Sequence, residues 1–181
     1  SALYSALGER FVQFRIAHGS VEQLAKTASR NRGREREMRE ELAKAVAQFF
    51  ENLNIGNVQI SEEILDCIIA AARFVALGRS GVVRDTYRTR DIELVPEPEL
   101  PTRVLKQLAN IATAHAIIMG RASVNKEDLE LVTRIAHDSI PRNRLRVLMD
   151  LRAYGVSETS EVAERLGLPT STTRRLLEDI T

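Results

Sequence analysis

Apolar residues recur along most of this chain at intervals of three or four, which is the spacing of helices with one apolar face. In residues 34–53 that face consists of Met38, Leu42, Ala45, Phe49 and Leu53. The same spacing predicts further helices over residues 20–31, 61–78, 102–119, 126–140 and 142–154. Two segments depart from it: residues 6–17 indicate a short strand or an extended segment, and residues 90–95 a short extended stretch.

Local signals mark several of the helix ends. Ser61 can cap the helix that follows it, and Asn125 with Asp128 has the spacing of a capping pair. The helix over residues 61–78 is apolar nearly all round, which predicts a central position. Its cysteine, Cys67, is expected to be a small buried hydrophobic residue rather than a reactive thiol.

The last forty residues contain the segment SETSEVAERLGLPTSTTRRLLEDI, which predicts a helix-turn-helix. A first short helix runs from Ser160 to Leu166 and ends at Gly167, where glycine tolerates positive φ. Pro169 and Thr170 open the next helix, with Thr170 as its cap. Small side chains at Ala163 and Gly167 are expected to let the two helices cross closely. A preceding helix over residues 142–154 is expected to bury Leu145, Leu148 and Leu151.

The second helix of this motif carries the candidate DNA-binding residues. Leu176 and Leu177 would pack back on the first helix and leave Ser171, Thr172, Arg174 and Arg175 available to a partner. Arginine suits phosphates or guanine edges, and hydroxyl side chains suit the DNA backbone. DNA is therefore the expected partner of this motif.

Composition limits the kind of nucleic-acid binding that is expected. The chain has 181 residues and a formal net charge of +1, so contact with DNA must come from a local patch. Hydrophobic residues make up 44% and aromatic residues only 4%, which favours a helical protein. We find no apolar run near the ~20 residues of a membrane span and no signal peptide, so a cytoplasmic location without membrane contact is expected.

Few residues suggest chemistry by themselves. The sequence has no Walker-type phosphate loop and no His/Cys cluster at metal-ligand spacing, so neither nucleotide hydrolysis by this chain alone nor a metal site is expected. Arg10, in GERF, and Arg103, after Pro101-Thr102 at a helix start, are either ordinary surface arginines or phosphate ligands.

Residues 101–140, PTRVLKQLANIATAHAIIMGRASVNKEDLELVTRIAHDSI, resemble the C-terminal lid of AAA+ ATPases, particularly the MoxR and minichromosome-maintenance branch. The resemblance rests on Arg103 at a helix start, the long Ala-rich helix, Gly120-Arg121 and Asp128. It implies that Arg103 is the sensor-2 residue, which contacts the γ-phosphate, and that Arg10 is an arginine finger for a neighbouring subunit. The nucleotide-binding core, with its ATP and Mg²⁺, is not in this sequence, so no activity and no cofactor are expected of this chain alone.

The sequence thus predicts an all-α fold, a helical bundle followed by a small helix-turn-helix or winged-helix-like domain. The expected domains are residues 1–19, the end of a missing core or a linker, then the lid-like bundle at 20–140 and the helix-turn-helix domain at 141–181. The leading interpretation is the C-terminal part of an AAA+ ATPase that couples nucleotide state to DNA or partner engagement, with homo-oligomers expected. A stand-alone transcriptional regulator with a helical dimerisation domain would explain the terminal motif equally well but would not explain the context of Arg103. A winged helix that docks on protein is the third alternative.

Overall fold

A computed structural model describes residues 11–16, 19–85, 91–95 and 97–180, and in these residues it contains eight helices and one two-stranded sheet. The helices are α1 (Val21–Arg30), α2 (Glu35–Glu51), α3 (Glu62–Arg79), α4 (Thr102–Ile118), α5 (Lys126–Asp138), α6 (Arg142–Tyr154), α7 (Thr159–Leu166) and α8 (Thr170–Glu178). The antiparallel strands are β1 (Val83–Arg84) and β2 (Ile92–Leu94), with Val83 opposite Leu94 and Arg84 opposite Ile92. The prediction of an all-α fold is confirmed.

Helices α3, α4 and α5 pack on one another and enclose the main hydrophobic core; we call them the bundle. Its fully buried side chains share small or branched aliphatic shapes and come from all three helices: Ile68, Ala72, Val75, Val104, Leu108, Ala112, Ala116 and Val132. The alanines allow close approach of the helices, and the branched residues fill the space between them. The spacing of apolar residues predicted the three helices that enclose this core, over residues 61–78, 102–119 and 126–140.

Side-chain caps lie at the starts of α3 and α5, as predicted. The Ser61 hydroxyl accepts a hydrogen bond from the Ile64 backbone N–H at the start of α3. Asn125 and Asp128 form a reciprocal capping box at the start of α5. These bonds satisfy backbone donors that have no partner inside a helix.

A buried charge cluster joins α4 to the start of α5. The Asp128 side chain is fully buried and accepts two hydrogen bonds of 2.7 Å from Arg121 and one of 2.8 Å from the Asn125 backbone N–H. His115 Nδ1 lies 2.5 Å from Asp128 Oδ1. Burial raises the pKa of Asp128, but the hydrogen bonds from Asn125, Arg121 and His115 outweigh burial and lower that pKa overall.

The helix containing Cys67 is less central than its composition suggests. Helix α3 buries one face, through Ile68, Ala72, Val75 and Ala76, whereas Cys67 is exposed. The expectation that Cys67 is buried is therefore wrong, because α4 and α5 cover one side of α3 and its apolar composition extends beyond that side.

Helices α1 and α2 form where the sequence predicts them, yet neither contains a buried residue. The apolar face of α2 is solvent-exposed at Met38, Leu42 and Phe49. An ion pair of 3.0 Å joins Arg36 Nε to Glu40 Oε1 on the same helix, as the i,i+4 spacing predicts. Periodicity correctly predicted the helix, but this helix does not cover the core.

The segment 11–16 has no regular secondary structure and lies against the ends of α3 and α5. The Gln13 backbone N–H donates to the Ser139 hydroxyl, and the Arg15 backbone N–H donates to Asp138 Oδ2, both at 2.8 Å. Arg79, at the end of α3, donates to the Phe11 carbonyl at 2.6 Å. The predicted strand is absent from the described part of this region, residues 11–16.

Candidate nucleic-acid interface

Helices α6, α7 and α8 pack on one another after Pro141; we call them the terminal unit. Val147, Val162, Ala163 and Thr173 are buried between them. The three leucines expected to be buried in α6 are only half-buried, and Val147 takes the central position. The helix-turn-helix predicted from the sequence thus corresponds to α7 and α8, which pack on α6.

The turn between α7 and α8 depends on Gly167. Its φ is +62° and ψ is +36°, which is the left-handed conformation. The Gly167 N–H donates to the Glu164 carbonyl and the Leu168 N–H to the Ala163 carbonyl, the two bonds of a Schellman motif. A Cβ at position 167 would contact nothing within 4 Å, so the predicted close helix crossing at this glycine is wrong and its backbone conformation explains its presence.

One face of α8 remains open to solvent. Thr170, Ser171, Arg174 and Arg175 are exposed, and their spacing places them on one stripe of the helix. Thr173 is buried and Leu176 and Leu177 are half-buried on the opposite side. Of the four candidate DNA-binding residues, Ser171, Arg174 and Arg175 therefore share the exposed stripe, and half-buried Thr172 lies beside it.

The start of α8 leaves backbone donors without a side-chain cap. Pro169 occupies the N-cap position and makes no side-chain capping bond, and Thr170 is the first helical residue. The expectation that Thr170 caps the helix is therefore wrong, because the helix begins one residue too early for that role. N–H groups in the first turn of a helix bind anions such as phosphate, and the helix dipole favours this.

The fold uses some arginines of the terminal unit internally and leaves others exposed. Residues 141–181 contain seven Lys or Arg and six Asp or Glu, a net charge of about +1. Arg146 donates to the Leu166 carbonyl, and Arg144 donates to the carbonyls of Gly78, Arg79 and Ser80. Four further arginines of the unit form no ion pair with the residues that the structure describes, and all four are exposed: Arg142, Arg152, Arg174 and Arg175. A near-neutral unit therefore presents two adjacent positive charges on α8.

An ion pair between Arg165 and the buried carboxylate of Asp150 fixes α7 on α6. Arg165 donates to both oxygens of Asp150, at 2.8 and 2.7 Å, and the Asp150 side chain is 5% exposed. The hydrogen bonds from Arg165 lower the pKa of Asp150 below its ordinary value despite burial. The Arg165 guanidinium also lies 4.5 Å from the centre of the Tyr154 ring. These contacts hold the end of α7 against α6.

Arg103 lies in the bundle, at the first turn of α4. Its side chain is 45% exposed and forms an ion pair with Glu99. Glu99 Oε1 also lies 3.7 Å from Arg79 Nη1, whose side chain is nearly buried. Arg103 is thus a half-exposed cation at a helix start, and it is paired with the carboxylate of Glu99. Arg10, the other arginine singled out in the sequence, lies outside the described residues.

Sequence reasoning missed the pairing of Arg84 with the end of α8. Arg84 on β1 donates to Asp179 Oδ1 at 2.8 and 3.0 Å and to Glu178 Oε2 at 3.0 Å. About 95 positions separate Arg84 from these carboxylates, and no local spacing signals a contact at that separation. The Asp179 hydrogen bond raises the pKa of Arg84.

Within residues 11–16, 19–85, 91–95 and 97–180, we find no group of three His, Cys, Asp or Glu side chains placed to hold a metal ion. Over the same ranges no helix combines the length and apolarity needed to cross a bilayer. Comparisons with protein-family models, curated proteins and solved structures match this chain to none of them.

Proposed function

We propose that this chain is the lid and DNA-contacting part of an AAA+ ATPase, in which the terminal unit engages nucleic acid. The observation that carries the proposal is the exposed stripe of α8, where Ser171, Arg174 and Arg175 lie beside a helix start without a side-chain cap. Two guanidinium groups and several backbone N–H donors on one surface suit the phosphates and groove edges of duplex DNA. The modest net charge predicts weak binding that falls further as the salt concentration rises.

Arg103 would supply the link to nucleotide. The guanidinium is half-exposed at a helix start and its partner is a carboxylate, so a phosphate oxygen could replace Glu99 with the same bonding chemistry. ATP and Mg²⁺ would be held mainly by the nucleotide-binding core, and the ATP would supply the phosphoryl group. An arginine beside that group stabilises its charge, and movement of Arg103 toward it would move the bundle.

The DNA part of the proposal is tested by fluorescence anisotropy with a labelled duplex over a range of salt concentrations. Arg174→Ala with Arg175→Ala should weaken binding by about tenfold or more and reduce the magnitude of the salt slope by about two. The matched control is Arg142→Ala with Arg152→Ala, which removes the same charge from exposed positions on α6. Because those residues lie off the stripe, the control should change binding much less.

The outcomes separate the proposal from its alternatives. Equal losses in the two double variants would contradict the stripe as the contact surface. Absence of duplex binding even at low salt would contradict a DNA role and favour the protein-docking interpretation. Tight binding to one specific duplex by a stable dimer would favour the stand-alone regulator.

A further inference from the structure

Among the described residues, contacts at the start and at the end of the terminal unit attach it to the rest of the chain. Near the beginning, Ile140 packs against Gly78 so closely that a Cβ at position 78 would lie 2.6 Å from Ile140 Cδ1. Arg144, in the first turn of α6, donates to three carbonyls at the end of α3. At the far end, Asp179 and Glu178 bind Arg84.

We propose that Arg84 is a positioning residue that clamps the end of α8 to β1 and so fixes the angle at which the exposed stripe is presented. The inference rests on the proposed function for the purpose of the stripe, but the clamp itself does not depend on DNA binding. Ile140 and Arg144 attach the terminal unit to the end of α3, and Asp179 lines the same cavity as Arg144. The bonds of Arg84 to Asp179 and Glu178 add β1 as a second partner of the terminal unit, and this second attachment sets its orientation.

The surroundings of Arg84 suit this role. Arg84 lies on β1, which pairs with β2, and the Asp85 N–H also donates to the Asp91 carbonyl at 3.0 Å. The Arg84 side chain is 19% exposed and that of Asp179 24%, so water screens their attraction less than it would at the surface. The guanidinium contacts both carboxylates, which restricts the end of α8 in more than one direction.

The clamp also offsets negative charge at the end of α8. Glu178 and Asp179 are its C-terminal acidic residues, and two uncompensated carboxylates there would repel a phosphate backbone near the stripe. Arg84 offsets part of this charge. The strands and α8 are thereby joined, although they are far apart in the sequence.

Backbone N–H residual dipolar couplings of the whole chain in a weakly aligning medium test the clamp without DNA. In the wild type, one alignment tensor should fit both the bundle and the terminal unit. Arg84→Asp should split the fit into two tensors, with weaker alignment of the terminal unit, because aspartate repels Glu178 and Asp179. Arg84→Asp combined with Asp179→Arg should restore the single tensor.

Controls keep the result interpretable. Arg73→Asp makes the same charge change at an exposed position of α3 and should leave one tensor. If Arg84→Asp fails to fold by circular dichroism, Asp179→Asn removes the charge more gently and should still weaken alignment of the terminal unit. A single unchanged tensor in the folded clamp variants, or failure of the charge swap to restore it, would overturn the proposal. Absence of duplex binding by the wild-type protein would overturn only the proposed function.

Discussion

Replacing Asp128 with asparagine tests whether the buried charge cluster stabilises the bundle. Asparagine has nearly the same shape and can still accept the hydrogen bond from the Asn125 N–H. It cannot attract Arg121, which now donates two bonds of 2.7 Å to the carboxylate. We therefore expect the capping geometry to survive and the ionic contribution to disappear.

The magnitude follows from burial. Removing one partner of a buried ion pair costs about 3–5 kcal/mol, mainly because the other charge is left without compensation. Asp128 is fully buried, whereas the Arg121 side chain is 22% exposed and can still reach water. The lower end of the range applies, and the free energy of unfolding should fall by about 3 kcal/mol.

Urea denaturation followed by far-UV circular dichroism measures this change at neutral pH, with an unchanged m-value expected. The exposed residue Asp66 supplies the matched control, because Asp66→Asn makes the same chemical change on the surface of α3 and should cost less than about 0.5 kcal/mol.

Acid gives a second, independent readout. The pKa of Asp128 is lowered from its ordinary 3.8, so the folded protein keeps the charge at pH values where the unfolded chain has lost it. The resulting stabilisation is present above pH 3.8 and is lost as the pH falls through the folded-state pKa. The difference between wild type and Asp128→Asn should shrink over that range. A penalty under about 1 kcal/mol at neutral pH, or one that acid leaves unchanged, would refute the reasoning.

Three further predictions concern other parts of the chain. Gly167→Ala should lower the free energy of unfolding by about 1 kcal/mol, and Gly167→Asn should lower it by less, because asparagine tolerates the left-handed conformation. Thermal unfolding measures both variants, and equal effects would contradict a backbone cause. Asp150→Asn should destabilise the terminal unit by about 2–3 kcal/mol, since Arg165 loses its ionic partner. Chemical denaturation measures this, and an unchanged free energy of unfolding would contradict it. Amide hydrogens of α1 and α2 should exchange with solvent much faster than those of the bundle, because neither helix has buried residues. Hydrogen–deuterium exchange followed by mass spectrometry measures this, and protection equal to that of the bundle would contradict the exposure of the two helices.

Much of the local structure was predictable because it depends on neighbouring residues. Periodicity predicted α4 to begin at Thr102, and the capping pair Asn125 and Asp128 predicted the start of α5. Gly167 likewise predicted the end of α7 from its freedom at positive φ. Each signal acts over one or two turns of helix, so the sequence alone suffices to interpret it.

What the sequence could not predict is how helices pair. The apolar face of α2 has the same spacing as that of α4, yet one is exposed and the other buried. Periodicity identifies an apolar face but not the surface, if any, that covers it. The exposure of Cys67 is explained in the same way.

The candidate site shows the same division. The stripe on α8 follows from helical spacing, and Ser171, Arg174 and Arg175 were identified from it. The contact of Arg84 with Asp179 depends on how β1 meets the end of α8, which no local pattern specifies. The roles assigned to Arg103 and Arg10 rest on resemblance and remain predictions.

The attachment of residues 11–16 has a mechanical consequence. The backbone N–H groups of Gln13 and Arg15 are bonded to Ser139 and Asp138, and the Arg15 side chain donates to the Ile140 carbonyl. All three acceptors lie immediately before Pro141, where the terminal unit begins. These bonds therefore connect the described segment near the start of the chain to the residues at which the terminal unit leaves the bundle, with few bonds between them.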